Sequence, residues 1–158
     1  MKKGQAVLEF LLVVLIVIIY LGTTIMPLTK DMQKAVMDTD SVSRTNNEVQ
    51  KIYSVIEEIS TLGVGSKKAI SVFIPADSNI RIYSNRIAYY VQLRLPPYAS
   101  TCNNDGLCKK EIYLNPISIQ LPPKSVPVGE FIEVVGPTRA MMIFEKVSGD
   151  NVSYSQGG

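Results

Sequence analysis

Few side chains of this 158-residue chain have types and spacing that could do chemistry. There is no histidine, so no Ser-His-Asp or Cys-His relay and no imidazole metal ligand. No paired acids with a base, no glycine-rich phosphate loop and no nucleophile elbow occur, which leaves no centre for an enzyme and no expected cofactor or metal. What remains is one cysteine pair, one sequon and one isolated carboxylate. Cys102 and Cys108 bracket Asn103-Asn104-Asp105-Gly106-Leu107. In an oxidising compartment they read as a disulfide, and in a reducing one as two thiols. The loop tip between them is expected to be exposed and tolerant of substitution. Asn151-Val152-Ser153 is an N-glycosylation sequon, a pattern that also arises by chance. Glu9 is the only charge among residues 5–29.

The element that must position Glu9 is the opening stretch, MKKGQAVLEFLLVVLIVIIYLGTTIMPLT. Its last 20 residues, 10–29, are uncharged. As a helix they would reach about 30 Å, the thickness of a bilayer's hydrocarbon. There the backbone must satisfy its own hydrogen bonds, which dictates helix. Lys2 and Lys3 in front, with acidic residues soon behind, orient the N-terminus to the cytoplasm and the bulk of the chain outside. A secretory signal peptide has a shorter apolar core closed by an A-x-A-like site. Gly22-Thr23-Thr24 is the nearest approach to one, and it is poor. A plain signal anchor is not excluded by length.

The order Lys3-Gly4-Gln5, with Glu9-Phe10 after Ala6-Val7-Leu8, resembles a class III signal peptide. Such peptides occur on type IV pilins and related archaeal surface-filament proteins, the archaeal form being Q-x-S-x-E-F. Val7 stands where a small polar residue is common. The resemblance covers roughly the first 25 residues. It implies cleavage between Gly4 and Gln5 by a prepilin peptidase, and subunit assembly through Gln5, Glu9 and Phe10. Glu9 would pair with the α-amino group that cleavage creates at Gln5 of a neighbouring copy. The other account places Glu9 at the membrane interface, near the positive end of its own helix. Both can hold at different stages. The implied partners are copies of itself or other pilins, the peptidase, and the membrane before assembly. The implied location is the cell membrane, then an extracellular pilus filament serving surface adhesion. The alternative is a single-pass, membrane-anchored surface module that binds an extracellular ligand or partner.

Charge fits the resemblance. There are 16 basic and 14 acidic side chains; without Lys2 and Lys3 the numbers are 14 and 14. A chain with no net charge suits close packing of copies. It does not suit nucleic acid, which selects basic patches.

Gly22 and Pro27 predict a helix kink, which in pilins resembles the segment that loosens on leaving the membrane. Residues 30–62 read as an amphipathic continuation with apolar positions at Met32, Ala35, Val36, Val42, Val49, Ile52, Ile56, Ile59 and Leu62. The polar run 43–47 predicts an irregularity, and Gly63-Val64-Gly65 a stop. If unbroken from Gln5, this helix would extend about 87 Å. From residue 66 the period changes to two. Strands are expected over 70–74, 79–83 and 86–95, with a tight turn at Ser84-Asn85 and an end at Pro96-Pro97. Residues 110–114 and 117–121 read as one strand bent at Pro116 or two short ones, before a loop or edge marked by Pro122, Pro123 and Pro127. Further strands are expected over 131–135, 141–147 and 152–154, and a loose tail over 155–158. Arg81, Arg86 and Arg94 read as a solvated sheet face, or as the lining of an intersubunit contact. The expected fold is α+β: a leader (1–4), a membrane or filament-core helix (5–29), its amphipathic continuation (30–62) and a small antiparallel β-domain (66–158), type IV pilin-like.

Overall fold

Helix comes first. In the computed structural model, α1 runs Lys2–Thr61, with Pro27 inside it. The structure describes residues 2–94, 102, 103, 105–122 and 131–157, with the backbone alone at 2–4 and 6. Pro96-Pro97, Pro123 and Pro127 lie outside the described residues. The chain divides into two units, Met1–Met37 and Asp38–Gly158.

In the first unit every residue from 7 to 37 except Gly22 is exposed. Helical assignment continues through Gly22 and Pro27. Pro27 has no N–H for the Thr23 carbonyl. Threonine hydroxyls on either side back-bond to the helix: Thr23 Oγ1 donates to the Ile19 carbonyl at 2.9 Å and Thr29 Oγ1 to that of Ile25 at 2.8 Å. This helix is long and apolar enough to cross a membrane.

The second unit opens with the rest of α1, followed by eight strands. They are β1 (Lys67–Ile74), β2 (Ser78–Tyr83), β3 (Arg86–Gln92), β4 (Leu107–Tyr113), β5 (Ser118–Gln120), β6 (Phe131–Val135), β7 (Thr138–Ser148) and β8 (Asn151–Gly157). They form two four-stranded sheets, ordered β1-β7-β8-β5 and β4-β3-β2-β6. All pairings are antiparallel except β5 with β8. Residues 110–121 are therefore two strands in different sheets. The tail is no loose end: Ser155, Gln156 and Gly157 pair with Ile143, Met142 and Met141. Their backbone groups complete a ladder, which the polar side chains did not disclose.

The core joins α1 to both sheets. Val49, Ile52, Ile56 and Ile59 are fully buried, among Val72 and Phe144 from one sheet and Ile80, Ile82 and Ile87 from the other. Spacings of three and four keep these helix residues on one stripe, which needs such a covering surface to be stable. Thr45 carries the stripe through the polar run and removes the expected irregularity. It is fully buried, and its hydroxyl donates to the Ser41 carbonyl at 2.7 Å. Leu62 and Met32, by contrast, are exposed.

The end of α1 is held by β7. The helix has no basic residue in its last turn. Lys146 Nζ instead reaches the Ser60 carbonyl at 2.5 Å, while Gly65 N–H donates to the Lys146 carbonyl at 2.8 Å. A cation thus meets the negative end of the helix and one of its orphan carbonyls.

Candidate functional site

Gln5, Glu9 and Phe10 lie on α1 at the start of the apolar run and are exposed with it. Phe10 is 68 % exposed and Val7 60 %. A run of apolar side chains fully in contact with water is not a stable end state for a protein. Burying them requires lipid or another protein surface. Glu9 is the single charge in this run. Its Oε1 is 3.4 Å from Gln5 Nε2, one turn earlier. That contact is neutral, and among the described residues no cation pairs with the carboxylate. The helix reaches back to Lys2, so Gly4 and Gln5 belong to a continuous helical backbone.

The cysteines are joined as Cys102–Cys108, with Cα atoms 3.9 Å apart. The loop they close is built from inside. Asn103 Oδ1 accepts from the N–H groups of Asp105 at 3.1 Å and Leu107 at 2.8 Å, an Asx-type arrangement. Gly106 is buried at φ +81°, with its N–H donating to the Asn103 carbonyl at 3.0 Å. A Cβ there would lie 3.0 Å from the Leu93 carbonyl oxygen. The expected exposure of the tip holds at Asn103, Asp105 and Leu107 and is corrected at Gly106, which is buried. Asn104 lies outside the described residues.

Arg81 and Arg86 do share a sheet face. Arg81 lies over the rings of Tyr90 (4.6 Å) and Phe131 (5.0 Å), and Arg86 over Tyr83 (4.5 Å). Glu133 binds Arg81 Nε at 2.9 Å. Partial burial opposes the charge of Arg81, but Glu133 and Tyr90 outweigh it and raise the guanidinium's pKa. Lys109 and then Tyr113 hold the Glu111 carboxyl below its ordinary value, against a smaller opposing effect of burial. Ala88, on this same face, is buried because Arg81 and Glu111 flank it in register. Arg94 stands apart, paired with Asp77 at 3.0 Å. Sequence alternation placed the arginines on a face. The aromatic partners come from other strands, so only the strand register reveals them.

Asn151 opens β8, half-buried, with Nδ2 3.5 Å from Ser148 Oγ. Its Cα partner across the parallel pair is Ser118. Among the described residues no group of three or more metal-ligating side chains occurs. No family model matches the chain, and no curated protein or solved structure matches it.

Proposed function

We propose that this chain is a pilin-like structural subunit. A membrane peptidase removes residues 1–4, and the subunit then assembles through the helix of residues 5–29 into an extracellular filament, with the β-domain outside. One observation carries the reading: an apolar helical run exposed on all sides, preceded by Lys3-Gly4-Gln5 and bearing a single carboxylate at Glu9. Lipid satisfies such a run before assembly, and neighbouring copies satisfy it afterwards. In the second setting Glu9 needs a cation. Gln5's new amine is the only one that residues 5–29 of a mature chain would offer. The disulfide suits an extracellular domain.

Intact mass of the membrane and filament forms tests this. The wild-type chain should lack residues 1–4, and Gly4→Ile should retain them. Mature-size product from Gly4→Ile would remove the class III assignment. Wild-type protein that keeps residues 1–4 and never enters filaments would be a membrane-anchored surface module instead.

A further inference from the structure

An uncharged depression of about 480 Å³ lies between the β2–β3 turn and the β4–β5 connection. Its walls are Tyr113, Asn85, Asn115 and Ser118, over Leu114, Pro116 and Ile117. Leu114 and Ile117 are buried, so the floor is part of the core and is fixed. Tyr113 is 60 % exposed, an unusual state for a large ring on a folded domain. Its orientation is nonetheless set: the hydroxyl donates to Glu111 Oε2 at 3.0 Å. Among the described residues the side-chain amides of Asn85 and Asn115 and the Ser118 hydroxyl have no hydrogen-bond partner. Each amide offers both a donor and an acceptor.

We propose that this depression binds one neutral pyranose. A pyranose has a face of C–H groups and a rim of hydroxyls. The Tyr113 ring offers the surface on which the C–H face stacks. Asn85, Asn115 and Ser118 are the donors and acceptors for the rim, above an apolar floor. No charged side chain lines the depression. The Glu111 carboxylate bonded to Tyr113 is already paired with Lys109 at 2.7 Å and Arg86 at 3.6 Å, so the lining offers no cation to hold an acidic sugar. The ligand has two possible sources of the same chemistry. One is a glycan on a surface the protein touches. The other is a glycan carried on Asn151, whose Cα partner Ser118 is part of the wall. The proposal does not depend on filament assembly.

The test uses the full chain, expressed in a host that glycosylates Asn-x-Ser/Thr, in a detergent without a sugar headgroup. Wild type and Asn151→Gln are compared by ligand-observed saturation-transfer NMR. The probes are glucose, galactose, mannose and N-acetylglucosamine, with sialic acid as the acidic control. At least one neutral sugar should bind, with Kd of about 1 mM for one open subsite. Tyr113→Ala and the Asn85→Ala/Asn115→Ala double variant should weaken it at least about tenfold, and Tyr113→Phe by no more than about threefold. Unchanged melting of these variants separates lost binding from lost fold. Binding by wild type assigns the site to an outside glycan. Binding only by Asn151→Gln assigns it to the glycan on Asn151. No neutral sugar bound by either form at about 20 mM would overturn the proposal. So would sialic acid bound as well as the neutral sugars, or Tyr113→Ala binding like wild type in a folded domain.

Discussion

A lysine buried in a β-domain is costly unless its charge is used. Lys146 uses it at the end of α1, where the Ser60 carbonyl accepts from it at 2.5 Å. Tyr154 is the counter-case: its hydroxyl is buried without a partner among the described residues, beside Phe144 at a ring separation of 5.6 Å. Lys146→Met keeps the aliphatic stem but leaves the carbonyl bare, and should cost about 1–3 kcal/mol in denaturant unfolding. Tyr154→Phe loses no bond, and should be neutral or stabilising by up to about 1 kcal/mol. A Lys146→Met domain as stable as wild type would show that the cap contributes nothing. Neither role was legible in the sequence. Lys146 continues the inward register of Ala140, Met142 and Phe144, yet a lysine ending such a series reads as the point where the strand emerges. Its partner is 86 residues away, so no local pattern could name it.

At the scale of elements, alternation located the strands because each buries one face. Ile80 and Ile82, then Ile87, Tyr89 and Val91, turn inward as a period of two requires. Alternation says which way a side chain faces, and nothing about which strand lies alongside. That is why the split of β4 and β5 between sheets and the parallel β5–β8 pair were not legible. The loop closed by Cys102–Cys108 shows the same limit. Its composition reads as a turn, while the tolerance of Gly106 is decided by the Leu93 carbonyl, which arrives from just beyond the end of β3. Gly106→Ala should therefore lower stability by about 1–3 kcal/mol, through the left-handed backbone and that close approach. Asp105→Ala, whose exposed side chain makes no bond among the described residues, should lie within about 0.5 kcal/mol of wild type. Equal thermal shifts in the two variants would refute this distinction.

At the scale of the whole molecule, composition alone makes the membrane-length helix legible, because bilayer thickness fixes the length of apolar helix required. What surrounds that helix is not written in one chain. Glu9 gives access to it. A carboxylate packed among apolar helices needs a cation, and removing one member of such a pair typically costs about 3–5 kcal/mol. Glu9→Gln should still insert and still lose residues 1–4. It should enter filaments poorly, while the β-domain keeps its wild-type melting temperature. Wild-type filament yield from Glu9→Gln would leave Glu9 as an interfacial residue without a pairing role.

The strand order also sets a timetable for synthesis. Strands β2, β3 and β4 pair in sequence order, so these hairpins can close soon after they are made. The other sheet waits. The partner of β1 in that sheet is β7, and that of β5 is β8, the last strand. Such pairing between distant segments forms slowly, because the loop must close before any contact rewards it. A chain made from its N-terminus therefore carries half a domain through most of its production. Until residues 138–157 arrive, β1 and β5 hold unpaired edges, and a ribosome stalled before Asn151 presents β5 with nothing to join.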